Sequence, residues 1–201
     1  MTADSSFGEP HDILRVATYN IHKGVQGVGP TRRLEIHNLA LAIETLDADI
    51  VCLQEVRQGN RKEASYFSGW PEQPQAEFLA PEGYEAVYRS NAVTKHGEHG
   101  NALLSRWPVI ECRHEDMSDH RFEQRGLLHA KLLVAGVTLH AIVVHFGLIP
   151  SSRVRQTARL KACIARELPL DEPVVVAGDF NDWGTRVRRL LRVDSLHAFE
   201  G

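Results

Sequence analysis

Four apolar segments of this 201-residue chain each end in a polar side chain. The first three end in Asn20, Glu55 and His145, and the fourth runs through VVVA into GDFND, which contains Asp179 and Asn181. If neighbouring strands end at the same edge of a sheet, these side chains converge there. Carboxylates that converge in a partly buried place need a counter-charge, which a divalent cation supplies. The pattern therefore predicts a metal-dependent site.

The kinds of side chain indicate which chemistry fits. Oxygen ligands with a single histidine favour Mg²⁺ or Mn²⁺ over zinc. Hydrolysis of a phosphate ester needs a Lewis acid, a positioned water and stabilisation of the leaving oxygen. We assign metal binding to Glu55, and orientation or deprotonation of the water to Asp179. Contacts to the phosphate and its developing charge are assigned to Asn20, Asn181 and His145.

Each of these residues also has a simpler interpretation. GDFND can be a strand-ending turn, because Asp, Asn and Gly favour turns, and His145 can be a hydrogen-bonded core histidine. Arg125 can bind substrate as a fixed positive charge or form a surface ion pair. Asn101 can hydrogen-bond the site or shape a hairpin. His22 and Lys23, just beyond Asn20, can help to bind substrate, although solvated loop residues are the default interpretation.

Composition narrows the class of protein. A hydrophobic content of 43% is typical of a folded chain, and no apolar stretch is long enough to span a membrane. The net charge of -3 gives no global attraction to nucleic acid. The start of the chain lacks a secretory signal and predicts a flexible tail over residues 1–13, followed by one domain over 14–201. The three cysteines are widely spaced, which suits a reducing compartment, so we expect a cytoplasmic protein.

Apolar periodicity predicts the secondary structure. Strands are expected at 15–21, 48–56, 84–91, 101–107, 127–134, 137–146 and 173–180. Helices are expected at 31–46, 153–167 and 185–192, with Thr31 and Ser152 as caps of the first two. Ala135-Gly136 is a predicted hairpin turn, and residues 57–83 are a long loop or a short helix. Strands outnumber helices, which favours an α/β fold of two packed sheets flanked by helices.

Six segments resemble the endonuclease/exonuclease/phosphatase superfamily, in the order of that family. They are ATYNIHKG, DIVCLQEV, HGNALLSRWPV, EQRGLLHAKL, VVHFGL and VVAGDFNDW. LQE and GDFN are specific in combination, whereas either alone is weak. The resemblance covers about residues 14–183 and looks closest to small bacterial members.

The resemblance implies a four-layer αββα sandwich with two mixed sheets, and metal-dependent phosphoester hydrolysis. It places Asn20 and Glu55 at the metal, and makes Asp179 and Asn181 the pair that positions water and phosphate. It makes His145 a contact of the phosphate or leaving group, as in the deoxyribonuclease-like and sphingomyelinase-like branches.

One departure from the family pattern concerns the end of the chain. The family normally continues into a strand with a metal-site Asp and then a Ser-Asp-His strand, whereas this chain stops at HAFEG. We therefore expect a chain that lacks its C-terminal strands. Ser-Asp-His does occur at residues 118–120, but in the wrong order, and is interpreted as a polar loop before a strand.

The substrate stays open at this point. The first hypothesis is a phosphodiesterase acting on nucleic acid or another phosphodiester, and the second is the same chemistry on a lipid or small phosphate ester. Tyr66, Phe67 and Trp70 suit either a stacked base or a lipid headgroup. The basic segment RVRRLLR at 186–192 is an amphipathic helix with a solvated face, or a patch for phosphate backbones or anionic membranes. The third hypothesis is a catalytically silent binding domain.

Overall fold

The structure is a computed structural model that describes residues 13–192. The predicted N-terminal tail and the last nine residues lie almost entirely outside this range. Elements in the first half are β1 (Val16–Asn20), β2 (Val25–Gln26), β3 (Arg33–Leu34), α1 (Ile36–Leu46), β4 (Ile50–Asn60), α2 (Arg61–Tyr66), α3 (Gln75–Leu79), β5 (Glu85–Thr94) and β6 (Gly97–Ser105). Those in the second half are β7 (Val109–Asp116), β8 (Gly126–Val134), β9 (Val137–His145), α4 (Pro150–Glu167), β10 (Val174–Asp179) and α5 (Arg186–Arg192).

The first half of the chain builds one mixed sheet in the order β1-β4-β6-β5. Strands β1 and β4 are parallel, and the other neighbours are antiparallel. Helices α1 and α3 cover its outer face, where Ile36, Ile43 and Leu79 are buried against Val51 and Leu53. A strand as apolar as β4 forms here because both of its faces are covered.

The second half builds a matching mixed sheet in the order β10-β9-β8-β7. Strands β9 and β10 are parallel, and β8 is antiparallel to both β7 and β9. The predicted hairpin between β8 and β9 is confirmed. Its turn residues Ala135 and Gly136 have φ of 49° and 85°, the left-handed values that a type I′ hairpin turn requires.

The two sheets pack face to face, with helices outside both. Side chains from β4, β6, β8 and β9 form the core between the sheets, including Cys52, Leu103, Leu128 and Val143. A third core lies under α4 and α5, around Phe146. The predicted four-layer αββα arrangement is therefore confirmed. Cys52 is a buried thiol whose pKa is raised to about 12 by burial.

Two helix starts were predicted wrongly. Thr31 does not cap α1, because it closes a short 3-10 turn and its hydroxyl donates to the Val28 carbonyl oxygen at 2.8 Å. Ser152 lies inside α4, which begins with Pro150 as its first residue, a position that proline favours. The hydroxyl of Ser152 donates instead to Asp119 at 2.6 Å.

Strand β7 was not predicted. Its sequence, VIECRHED, carries five charged or imidazole side chains, because it lies at the edge of its sheet, where few positions are buried. Residues 96–100, HGEHG, lie between two predicted strands, and the last four of them form the start of β6. Residues 57–83 contain the end of β4 and both short helices, α2 and α3.

None of the helices within residues 13–192 combines the length and the apolar character that crossing a membrane requires.

Candidate active site at the adjoining ends of the two sheets

The predicted site residues converge where the two parallel strand pairs end. Asn20 is the last residue of β1, in the first sheet. His145 and Asp179 are the last residues of β9 and β10 and are register partners in the second sheet. The amide Nδ2 of Asn20 donates to Asp179 Oδ2 at 3.1 Å. This hydrogen bond joins the two sheets directly at the site.

Asp179 is held by neutral donors. Besides the bond from Asn20, its Oδ1 accepts from the backbone N–H of Asn181 at 2.9 Å. The Nε2 atom of His145 lies 3.7 Å from Asp179 Oδ2. These contacts fix both oxygens without neutralising the negative charge, so the carboxylate stays available to a water or a proton.

The turn after β10 is also part of the site. Asn181 has a φ of 49°, which lets its backbone N–H reach back to Asp179 and its Nδ2 donate to the Phe146 carbonyl oxygen at 2.8 Å. Gly178 is required, since a Cβ there would lie 1.9 Å from the Val144 carbonyl oxygen. GDFND therefore forms the turn that its composition predicts, and the same turn orients Asp179.

His145 is 5% exposed. Burial, followed by the nearby Arg125 charge, lowers the pKa of His145 to about 4, although Asp179 and Glu55 act in the opposite direction. The imidazole is therefore neutral near pH 7. A neutral imidazole can donate one hydrogen bond and accept another without adding a charge.

Glu55 lies at an irregularity in β4, where the register with β6 shifts between Leu53 and Val56. Its φ is 58°, a value that a non-glycine residue adopts rarely. Its Oε2 lies 3.2 Å from the ammonium of Lys23. Burial alone would raise the pKa of Glu55, but Lys23, His145 and His22 together lower it below the ordinary value. Glu55 is therefore ionised near pH 7.

The donor set suits a hard divalent cation. The ionised carboxylate of Glu55 and the amide oxygen of Asn20 are the hard oxygen donors that Mg²⁺ and Mn²⁺ bind, usually with several waters. Lys23 now supplies the positive charge that such a cation would supply. Among residues 13–192, no group of three or more His, Cys, Asp and Glu side chains is arranged as a preformed metal cage.

Arg125 is anchored beside the site. Its Nε donates to the Phe146 carbonyl oxygen at 3.2 Å, and its Nη2 donates to Glu123 Oε1 at 2.9 Å. The ion pair with Glu123 is mostly buried, with each side chain 15% exposed. The two interpretations of Arg125 are compatible, because a guanidinium fixed by an ion pair still presents charge to His145.

Asn101 is fully buried and joins the two sheets behind the site. Its Nδ2 donates to the carbonyl oxygens of Gly126 at 2.9 Å and Val143 at 3.2 Å. Its Oδ1 accepts from Asn91 at 3.2 Å. These contacts support a structural role, and contact with substrate stays a prediction.

Comparison with known proteins identifies the family. The sequence profile of the Endonuclease/Exonuclease/phosphatase family matches residues 17–195. The chain belongs to this family. Over 185 residues it is 39% identical to the protein YbhP of Escherichia coli (strain K12), a match that covers 90% of this chain and 72% of YbhP. The YbhP protein of Shigella flexneri matches equally well.

Solved structures agree on the fold. The human Nocturnin catalytic domain matches with a TM-score of 0.67 and 21% identity, over 90% of this chain and 69% of that chain. Mannosyl-6-phosphatase Bt3783 of Bacteroides thetaiotaomicron matches with a TM-score of 0.62 and 19% identity, over 84% and 66%. A humanized D. rerio TDP2 matches with a TM-score of 0.57 and 17% identity, over 88% and 66%. The chain thus spans just under two thirds of the last two structures.

Three neighbours of the site were missed or misjudged from sequence. Lys23, by default a solvated loop residue, is 36% exposed but also pairs with Glu55, a contact that the sequence did not indicate. Gln75 is 2% exposed. Its side-chain amide donates to the Lys23 carbonyl oxygen at 2.9 Å and accepts from the backbone N–H of Arg57 at 2.8 Å, and these bonds position Lys23. His99 was not singled out. Burial, followed by the charge of Lys23, lowers the pKa of His99. Its position two residues before Asn101 was the signal in the sequence that could have identified it.

Residues 118–120 form a loop that supports the site from outside. The carboxylate of Asp119 pairs with Arg155 of α4 and accepts from Ser152. The hydroxyl of Ser118 accepts from the backbone N–H of Arg125 at 3.0 Å. This segment therefore anchors α4 and the strand end that carries Arg125.

Proposed function

We propose that this chain is a Mg²⁺- or Mn²⁺-dependent phosphodiesterase. Membership of the family supports hydrolysis of a phosphoester. The observation that carries the finer proposal is the placement of Asp179, a carboxylate held by neutral donors from both sheets beside a neutral His145. We further propose that residues 14–201 belong to a single family domain.

Glu55 and Asn20 would hold the cation. Bound there, the cation would act as a Lewis acid on the phosphoryl oxygens and offset their charge. The ammonium of Lys23 would leave the carboxylate of Glu55, because Lys23 and the cation compete for the same carboxylate oxygens. The ionised state of Glu55 near pH 7 means that no proton has to leave first.

Asp179 would orient the attacking water and accept its proton. The bonds from Asn20 and from the Asn181 backbone fix the direction of the Asp179 carboxylate. His145, neutral because of burial, would donate a hydrogen bond to a phosphoryl oxygen. Arg125 would add a fixed positive charge on the same side.

Two substrate classes remain candidates, nucleic acid and a lipid or small phosphate ester. A pocket of about 540 Å³ beyond Glu55 is lined by Arg57, Phe67 and Trp70, among others. The Arg57 guanidinium lies 5.9 Å from the Trp70 ring centroid, an arrangement that can accept a stacked base. The nucleic-acid candidate rests on this pocket.

The proposal is tested by hydrolysis of bis-p-nitrophenyl phosphate with Mg²⁺, with Mn²⁺ and with EDTA. We expect cation-dependent release of p-nitrophenol, lost in Glu55→Gln and in Asp179→Asn. Glu82→Gln and Asp171→Asn are matched controls, because these exposed acids lie in loops away from the site. Controls should retain the wild-type rate.

Equal rates in wild type and Glu55→Gln would contradict the mechanism. Absence of turnover in wild type, together with calorimetric Mn²⁺ binding that Glu55→Gln removes, would favour the silent binding domain. Nicking of a plasmid that weakens steeply with added salt would identify nucleic acid as the substrate.

A further inference from the structure

Several large apolar side chains near the site are exposed to solvent. Phe122 is 81% exposed, Leu148 63%, Ile149 45% and Trp183 91%. We call these four residues the apolar rim. Single exposed apolar residues are common on proteins, whereas a group on adjoining loops marks an interaction surface.

The rim lies at one end of the second sheet, the end at which β9 and β10 stop and which carries His145 and Asp179. Phe122 precedes β8, Leu148 and Ile149 follow His145 at the end of β9, and Trp183 follows Asp179 at the end of β10. Because β8 is antiparallel to β9 while β10 is parallel to it, these three loops leave the sheet at one end.

Hydrogen bonds hold the three loops together. Glu123 Oε1 accepts from the backbone N–H of Leu148 at 3.1 Å, which ties the Phe122 loop to the loop after β9. Asn181 Nδ2 donates to the Phe146 carbonyl oxygen at 2.8 Å, which ties that loop to the one after β10. The loops that carry the rim are therefore tied to one another next to the strand ends that carry His145 and Asp179.

Two arginines accompany the rim. The guanidinium of Arg121 lies 4.6 Å from the centroid of the Phe122 ring. Arg153 donates from Nη1 to the carbonyl oxygen of Leu148 at 2.6 Å. Apolar tips flanked by guanidinium groups match the layering of a membrane interface, where acyl chains lie just below anionic phosphates.

We propose that the apolar rim docks this protein onto the surface of an anionic phospholipid membrane. The docked rim brings Asp179 and His145 to the level of the headgroups, whose phosphodiester linkages then become the substrate class. This last step rests on the proposed function. Nucleic acid fits the rim less well, because two of its four side chains, Leu148 and Ile149, are aliphatic and offer no face on which a base can stack.

Binding is tested by co-sedimentation with phosphatidylcholine vesicles containing 30% phosphatidylglycerol, with pure phosphatidylcholine vesicles as a comparison. We expect reversible binding of wild type to the anionic vesicles. The double variant Phe122→Ser/Leu148→Ser should bind at least about tenfold more weakly, because a few inserted side chains supply most of the affinity.

The matched control is Leu170→Ser/Val137→Ser, which removes exposed apolar side chains at the opposite end of the second sheet. It should bind like wild type, and circular dichroism should show that both double variants are folded. Equal binding by the rim variant and wild type, or no binding by wild type, would overturn the proposal. So would loss of single-stranded oligonucleotide binding in the rim variant without loss of vesicle binding.

A soluble substrate separates this proposal from the proposed function. The rim variant should hydrolyse bis-p-nitrophenyl phosphate at the wild-type rate, because none of the four rim side chains is assigned to the chemistry. If wild type hydrolyses nothing but its vesicle binding depends on the rim, docking stands and the phosphodiesterase fails. If hydrolysis is present but vesicle binding is not, the reverse holds.

Discussion

Two acidic side chains at opposite ends of the sandwich, Asp49 and Asp179, are held by different kinds of donor. At the end away from the site, Asp49 is 3% exposed and pairs with Arg106 at 3.1 Å. Its other oxygen accepts from the backbone N–H of Arg15 at 2.8 Å. The same Arg106 also pairs with Asp47 and donates to the Tyr84 hydroxyl. At the site, Asp179 receives amide hydrogen bonds, and none of the guanidinium groups within residues 13–192 pairs with it.

The difference separates a structural acid from a reactive one. A buried carboxylate paired with a fixed guanidinium has its charge cancelled, so removing either partner leaves an uncompensated charge. A carboxylate held by amides keeps its charge for a water, a proton or a cation. The kind of donor, together with the greater exposure of the Asp179 side chain, therefore distinguishes Asp179 from Asp49.

The largest expected effect is on activity at the site. Asp179→Asn should lower kcat by about 10³-fold, within the range for loss of a general base, while the melting temperature stays close to that of wild type. Kinetics on bis-p-nitrophenyl phosphate and a calorimetric melt check both halves. A large drop in melting temperature would place Asp179 with the structural acids.

Substitution of Asp49, at the opposite end of the sandwich, should lower stability and leave activity unchanged. Asp49→Asn should cost about 1–2 kcal/mol of unfolding free energy, because Arg106, whose side chain is 34% exposed, loses one of its two carboxylate partners, and should leave kcat unchanged. Urea denaturation gives the free energy. The variant Asp171→Asn, at an exposed acid, is the control. A normal midpoint with reduced kcat would remove the distinction between the ends.

A buried histidine pair extends the comparison to pH. Burial, and then the neighbouring His140, lower the pKa of His129 to about 4, and His129 Nε2 lies 2.8 Å from His140 Nδ1. The unfolded chain takes up this proton near pH 6.5, whereas the folded chain resists it. Stability therefore falls as pH drops from about 6.5 towards 4, by about 2 kcal/mol between pH 7 and pH 5.

Unfolding free energies of wild type and His129→Asn across this range measure that contribution. The variant should show a shallower decline, whereas His37→Asn, which alters an exposed histidine of α1, serves as the matched control. A slope that is the same in His129→Asn and wild type would assign the acid sensitivity to other groups.

The smallest expected effect concerns the ion pair at Glu55. Lys23→Ala removes the ammonium that lies 3.2 Å from the carboxylate, so Mn²⁺ should bind several-fold more tightly. Titration calorimetry on the untreated and EDTA-washed protein measures this without reference to turnover. Lys62→Ala, on the exposed face of α2, is the control, and weaker Mn²⁺ binding in Lys23→Ala would mean that Lys23 helps to form the site.

Much of the architecture follows from local pattern. Strands such as β4, β8 and β9 are apolar on both faces because sheets or helices cover both, and such runs are readily found. Strand β7 was missed because an edge strand alternates weakly with charges. The starts of α1 and α4 were misplaced because Thr31 and Ser152 have side chains suited to capping but bond elsewhere.

The site was predictable as a set of strand ends, but its pairings were not. Sequence placed Asn20 and Asp179 at strand ends without indicating that a hydrogen bond joins them across 159 residues. The contact of Lys23 with Glu55 depends on the left-handed turn at Lys23, whose φ is 64°. Such a conformation in a lysine depends on tertiary contacts, here through Gln75.

The buried amide of Asn101 has a consequence for how the site tolerates change. Glu55 comes from one sheet and Asp179 from the other. The distance between them therefore depends on how the two sheets pack against each other, and not on the geometry of a single strand. Asn101 helps to fix this packing, because its side chain in β6 donates hydrogen bonds to Gly126 and Val143 of the second sheet. A substitution that shifts the sheets by a fraction of an ångström would therefore change the distance between Glu55 and Asp179 while leaving every side chain of the site intact.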